Sequence, residues 1–201
     1  MTGRTHFVVG ETAALLLTHP NNWKELTLCL GAAAIGASIC DIDVSTSKSH
    51  QSLKRILLVT AIVAATVLGM EYFGHIGIIP FLQSRVVLWQ ALLGGGLFLA
   101  VCFVGMHCPH RTFMHSVPGW LLLCGILQWA APPLVAGFSI AMLSHILLDL
   151  FNYKAVHLLY PLDWRFSLDL CPADGKVDHL IFRVGSLLWP VALIWQAMQM
   201  L

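Results

Sequence analysis

The chain has 201 residues, 58% of them hydrophobic and only 10% charged, with a mean hydropathy of +0.79. Ordinary soluble domains carry about 25% charged residues, so a disordered chain and a cytosolic globule are both excluded. Eleven Lys and Arg against ten Asp and Glu leave a net charge of +1, which excludes a nucleic-acid binder working through a basic face; the anomaly is ten histidines in so apolar a chain.

Long stretches carry no Lys, Arg, Asp or Glu: Leu26–Cys40, Ile56–Met70, Val86–Met106, Thr112–Leu148 and Val184–Leu201. A bilayer core about 30 Å thick is crossed by roughly 20 apolar residues of helix. The pattern predicts an all-α, polytopic transmembrane bundle of about six to seven helices, some short, forming a single integral-membrane domain over 1–201. The first predicted helix, 5–18, holds His6 and Glu11. Glu11 interrupts its apolar run and no small-residue cleavage site follows, so it reads as a helix and not a signal peptide. The second, 24–40, contains the small-residue run Gly31–Ser38, the composition of a closely packed membrane helix. Helices are expected next over 53–70 and 86–106. Pro132-Pro133 divides the following run into 117–131 and 134–151, because proline removes a donor and restricts the residue before it. The last helix is expected over 182–200. Six cysteines include no C-x-x-C pair, so neither a disulfide framework nor a thiolate zinc site is indicated.

Seven crossings would place nine basic residues (Arg4, Lys48, Lys54, Arg55, Arg111, Lys154, Arg165, Lys176 and Arg183) on the side of the N-terminus, against two, Lys24 and Arg85, on the other. By the positive-inside rule the N-terminus is expected to face the cytoplasm from the inner or plasma membrane. The conspicuous polar residues fall on that same face. His6 opens the first helix, Asp41 and Asp43 follow the second, His110, Arg111 and His115 fill the link before 117, and His145 and Asp149 end the helix of 134–151.

His145 and Asp149 are four apart, so both share one helix face, one turn apart, where imidazole and carboxylate can grip one ion. Asp41 and Asp43 need a turn or extended geometry to point one way. His110 and His115, five apart, are about 140° out of alignment on a helix, which predicts a loop. Four histidines and three aspartates without cysteine suit zinc, with manganese or iron as alternatives. Seven candidate ligands exceed one ion's needs, so two or three ions are expected. Paired ions favour hydrolysis of phosphoesters through metal-activated water. Asp43 is then a ligand or general base, and Arg111 either steadies a phosphate oxygen or anchors the cytoplasmic face.

Other polar residues carry weaker signals. Glu11 is expected either to orient His6 or to face the bundle interior. His50, His107 and His179 share the cytoplasmic side without a spaced partner, and His19 and His75 are expected at the opposite interface. The long loop over 152–181 either covers the site or docks lipid headgroups.

Thr5-His6, Asp41-Ile42-Asp43, His110-Arg111-x-x-x-His115-Ser116 and Ser144-His145-x-x-x-Asp149, in this order, resemble the YdjM-like family of LexA-regulated, membrane-bound metal-dependent hydrolases. Leu159-Tyr160-Pro161-Leu162-x-Trp164-Arg165-Phe166 also suits that family, and the likeness covers most of the chain. Cys40 stands where the family usually has proline, and Thr112 and Met114 stand where it has glycine and threonine. The pattern is also distantly similar to zinc-dependent phospholipase C, all-helical enzymes with clustered zinc. The resemblance implies a membrane-embedded metal-dependent hydrolase acting on a phosphoester of a lipid or lipid-linked substrate. The alternative is a metal-ion transporter or metal sensor using the same ligands. Transport sites lie near the bilayer midplane, whereas these ligands gather at one interface.

Overall fold

A computed structural model describes residues 1–43 and 49–200. Among them eight α-helices follow one another: α1 (Gly3–Thr18), α2 (Trp23–Ile39), α3 (Ser49–Gly74), α4 (Ile78–Arg85), α5 (Leu88–Met106), α6 (Val117–Ala130), α7 (Val135–Asp149) and α8 (Lys176–Gln199). Three short 3-10 turns, Cys40–Asp43, Phe113–His115 and Pro132–Leu134, extend α2 and introduce α6 and α7. The described residues contain no strand, only the isolated bridges Asn152–Cys171 and Val156–Phe166. Lys48 lies outside the described residues, as do the side chains of His50, Lys54 and Arg55.

The centre of the bundle is α2 against α7, with α1 packed on both. This closeness comes from the small residues. A Cβ on Gly36 would collide with the Phe138 carbonyl, and one on Gly137 would stand 2.6 Å from the Cys29 carbonyl oxygen. Glycine at these two positions lets the backbones of α2 and α7 touch, as tightly packed membrane helices do. Ala32, Ile39, Phe138, Met142 and Ile146 fill the core beside them. Ser116 starts α6 by accepting a hydrogen bond from Gly119 N at 3.1 Å, and Pro118 occupies its first turn.

Among the described residues four helical stretches are long and apolar enough to cross a membrane: Trp23–Asp43, Leu88–Met106, Pro132–Asp149 and Lys176–Gln199. A fifth is possible if the end of α3 and α4, bent by 116° at their junction, count as one span. The all-α bundle of about six to seven helices expected from sequence is present, with fewer of its helices passing this test than the seven taken as crossings. The difference lies in α1 and α6, of 16 and 14 residues. α1 turns Thr5, His6, Glu11 and Thr12 into the bundle and is sheltered by its neighbours instead of by its own apolarity. Its orientation and that of α2 and α7 still bring the start of α1 to the ends of the other two.

α3 runs four residues further at each end than the expected 53–70, and two later elements also depart from expectation. α4 was not foreseen, and α8 starts at Lys176, six residues before the expected 182, because its first turns carry Lys176, Asp178 and His179. The Asp178 carboxylate explains that start. It accepts from Thr2 N at 3.0 Å and Thr2 Oγ1 at 2.9 Å, tying α8 to the beginning of α1.

Candidate metal centre

All eight residues singled out in the sequence converge where α1 starts and α2 and α7 end. His6 comes from α1, and Asp41 and Asp43 from the 3-10 turn that closes α2. His110 and Arg111 come from the loop after α5, His115 from the 3-10 turn before α6, and His145 and Asp149 from one face of α7. The turn after α2 supplies the geometry that the spacing of Asp41 and Asp43 required. The loop expected around His110 is also present, and Arg111 sits in it with a left-handed φ of 67°. For a residue with a side chain that conformation costs on the order of 1 kcal/mol or more, so the surroundings must hold it.

What holds it is the acidic pair. Arg111 N donates to Asp43 Oδ2 at 3.2 Å, and its Nη2 lies 3.2 Å from Asp149 Oδ2. Arg111 Nη1 donates to the Lys154 carbonyl. Its guanidinium is therefore buried, with Nη1 and Nη2 taken by protein partners and Nε left without one, so it is not an exposed basic anchor. Asp149 is further approached by His6 Nε2 at 3.1 Å, Asn152 Nδ2 at 2.7 Å and the Met1 amino group at 3.0 Å. Asn152 is the member of this shell that sequence reasoning missed. As a lone amide just past a helix end, it carried no spacing signal.

The histidines are unusual in what they lack. His6 Nδ1, both ring nitrogens of His115 and His145 Nε2 are buried without a hydrogen-bond partner, although the rings are at most 1% exposed. Each such group costs about 1–3 kcal/mol if nothing binds it. The His145 tautomer is fixed by the backbone. Its Nδ1 lies 2.7 Å from the Ala37 carbonyl, which can only accept, so Nδ1 carries the proton and Nε2 presents a lone pair to the cluster. His6 stacks flat on His145, with ring centroids 3.6 Å apart and an interplanar angle of 8°.

Distances separate hydrogen bonds from shared-ligand spacings. Two ligands of one tetrahedral ion with bonds of about 2.0–2.2 Å stand roughly 3.3–3.6 Å apart. His115 Nδ1 to Asp43 Oδ2 is 3.3 Å, His115 Nε2 to Asp149 Oδ2 is 3.5 Å, and His145 Nε2 to Asp41 Oδ1 is 3.7 Å. By contrast His110 Nδ1 to Asp43 Oδ1, at 2.6 Å, is a hydrogen bond donated by the ring. Three overlapping groups have ligand atoms mutually within 4.8 Å: His6, His145 and Asp149; Asp41, His115 and His145; and Asp43, His110 and His115. The donor set therefore fits divalent ions of the zinc type.

The electrostatics point the same way. Burial by itself pushes the His115 imidazole down, but the Asp43 carboxylate beside it, aided by Asp149 and Asp41, outweighs burial and holds it above the ordinary histidine value. The surroundings of His115 therefore favour positive charge. Asp41 and His110 are the members with solvent access, their side chains about a third exposed (35% and 32%).

Among the described residues, Glu11, His107 and His179 stay outside the cluster. Glu11 faces the bundle interior, where Trp189 Nε1 donates to it at 3.4 Å, and it does not orient His6. His107 is bonded to the Phe103 carbonyl at the end of α5, and His179 lies exposed beside Asp174 and Arg4.

An all-helical membrane bundle with a buried histidine–aspartate cluster at one end of its spans is the class these features define. Within it, the chain belongs to the YdjM inner membrane protein family, whose match covers residues 1–200. It is integral to the inner membrane. It is also similar to the Bacillus subtilis (strain 168) protein described as "Uncharacterized protein YvsG", 32% identical over 78 residues. Those residues are 38% of this chain and 49% of that protein, so the match spans about half of the relative's length. No solved structure matches.

Proposed function

We propose that this protein is a membrane-embedded, metal-dependent hydrolase acting on a phosphoester of a lipid or lipid-linked substrate. The observation that carries the reading is the set of buried imidazole nitrogens without partners, standing at shared-ligand distances from Asp41, Asp43 and Asp149. His6, Asp41, Asp43, His110, His115, His145 and Asp149 would hold two or three ions, zinc first, with manganese or iron as alternatives. Such ions supply Lewis acidity and lower the pKa of water.

The chain's own residues divide the remaining work. Both Asp43 oxygens accept hydrogen bonds, from His110 and from Arg111 N, which favours Asp43 as ligand and positioner over general base. Asp41, the more exposed carboxylate, would take a proton from water. Arg111 balances the buried charge of Asp149. The excess of basic residues expected on the side of Arg4 supports reading the N-terminus and this cluster as facing the cytoplasm. A transporter would carry its ligands near the middle of its spans, whereas these sit at helix ends.

The test is metal content by mass spectrometry on detergent-purified protein, wild type beside Asp149→Asn, followed by a phosphoester hydrolysis screen. Two or more ions per chain, fewer in the variant, with turnover abolished by His145→Ala, is the expected result. A wild type that takes up no divalent ion on reconstitution would remove the reading. Divalent-ion flux in proteoliposomes without turnover would replace it with transport.

A further inference from the structure

The connection between α7 and α8, residues 150–175, does not behave as a soluble loop. From 162 to 170 every even-numbered residue is large and apolar: Leu162, Trp164, Phe166, Leu168 and Leu170. All five are exposed, from 42% at Phe166 to 63% at Leu170. The residues between them are Asp163, Arg165, Ser167 and Asp169, whose polar groups are satisfied locally. Arg165 Nε donates to Asp163 at 3.0 Å, and Ser167 Oγ donates to Asp169 Oδ1 at 2.6 Å. So contiguous a run of exposed apolar groups is not left facing water without a partner.

Its position names that partner. Phe166 and Val156 exchange backbone hydrogen bonds of 2.8 and 2.9 Å. Leu168 N donates to Leu150 O at 2.7 Å, and Leu170 N to Phe151 O at 3.1 Å. Leu150 and Phe151 directly follow the membrane-crossing stretch Pro132–Asp149, and Lys176 begins the next one. The ribbon is therefore fastened to the end of one span, shortly before the start of another, and cannot reach away from that membrane face. Lys154, Arg165 and Lys176 are offset by Asp163, Asp169 and Asp174, so attraction to anionic headgroups adds little.

We propose that residues 162–170 form an interfacial ribbon seated in the bilayer itself, its five apolar side chains in the boundary between headgroups and acyl chains, beside the histidine–aspartate cluster. Aromatic residues at such a depth anchor membrane proteins in their plane. The inference stands on the membrane location alone and does not require the hydrolase reading.

Trp164 reports on it directly. The protein is reconstituted in phosphatidylcholine vesicles, and the fluorescence of Trp164 is taken as wild type minus Trp164→Phe. Brominated acyl chains are expected to reduce that difference signal at least about twofold, as for an interfacial tryptophan, while iodide on both sides of the membrane leaves it nearly unchanged. Adding anionic lipid is expected to change neither result. Quenching by iodide but not by brominated lipid would overturn the proposal. Shielding from both would overturn it as well, since another protein surface would then cover the ribbon. Because Trp164 is exposed, the phenylalanine variant keeps the fold; should its yield fall, Leu168→Trp in the Trp164→Phe background is read the same way.

Discussion

The two ends of the bundle use the same residue type in opposite ways. At the end where α1 finishes and α4 begins, His19 and His75 are exposed, each in a left-handed conformation (φ 45° and 44°) where the chain turns between helices. His19 Nδ1 has Gln196 Nε2 at 3.5 Å, and water can serve whatever else its ring needs. At the other end His6, His115 and His145 are buried among carboxylates with ring nitrogens left unpaired. Histidine number alone is therefore a poor signal. Burial without partners is the informative one, because only there does the protein forgo a solvation that something else must supply.

The contrast can be broken most forcefully at Asp149. Asp149→Ala leaves the buried Arg111 guanidinium without its carboxylate, and the expected cost is about 3–5 kcal/mol, read as a fall in thermal unfolding temperature in detergent. A variant as stable as wild type would show that this end is not held by its charges. Chelation is the next largest effect. If ions occupy the cluster at about a thousand times their dissociation constant, stripping them costs roughly 4 kcal/mol. That loss should be seen in wild type and be much reduced in His145→Ala.

Packing comes third. Gly36→Ala drives a methyl group into the Phe138 carbonyl, an overpacking worth about 1–3 kcal/mol, and by moving α2 against α7 it should also weaken metal retention. Unchanged retention would separate the helix contact from the cluster. The smallest effect belongs to the opposite end. His19→Gly or His75→Gly relieves a left-handed backbone and should stabilise by no more than about 1 kcal/mol, with metal content unaltered.

The cluster was legible in the sequence because an apolar chain makes its polar residues conspicuous, and because His145 and Asp149 share a face by helix periodicity alone. The loop geometry of His110 and His115 was legible for the converse reason, as their spacing fits no helix. What escaped notice depends on neighbours. The hold on Arg111 Nη1 requires the Lys154 carbonyl, which arrives only when the 150–175 segment folds back. The short α1 holds Glu11 inside it because α2, α7 and α8 surround it, which no count of charge-free runs reveals. The early start of α8 was hidden by Asp178, whose charge reads as loop until Thr2 is seen to bond it.

The hydrogen bond from His145 Nδ1 to the Ala37 carbonyl has a consequence for how this protein can vary over time. A main-chain oxygen is supplied by every amino acid, so the group that sets the orientation and tautomer of His145 cannot be deleted by a side-chain change at position 37. What selection can act on there is size, since a side chain on Gly10 would stand 3.0 Å from the Ala37 methyl. Related sequences should therefore tolerate glycine, alanine or serine at 37 and reject bulk. Residue 37 would then look like an ordinary packing position in any comparison of homologues, although it carries the contact that aims the ring.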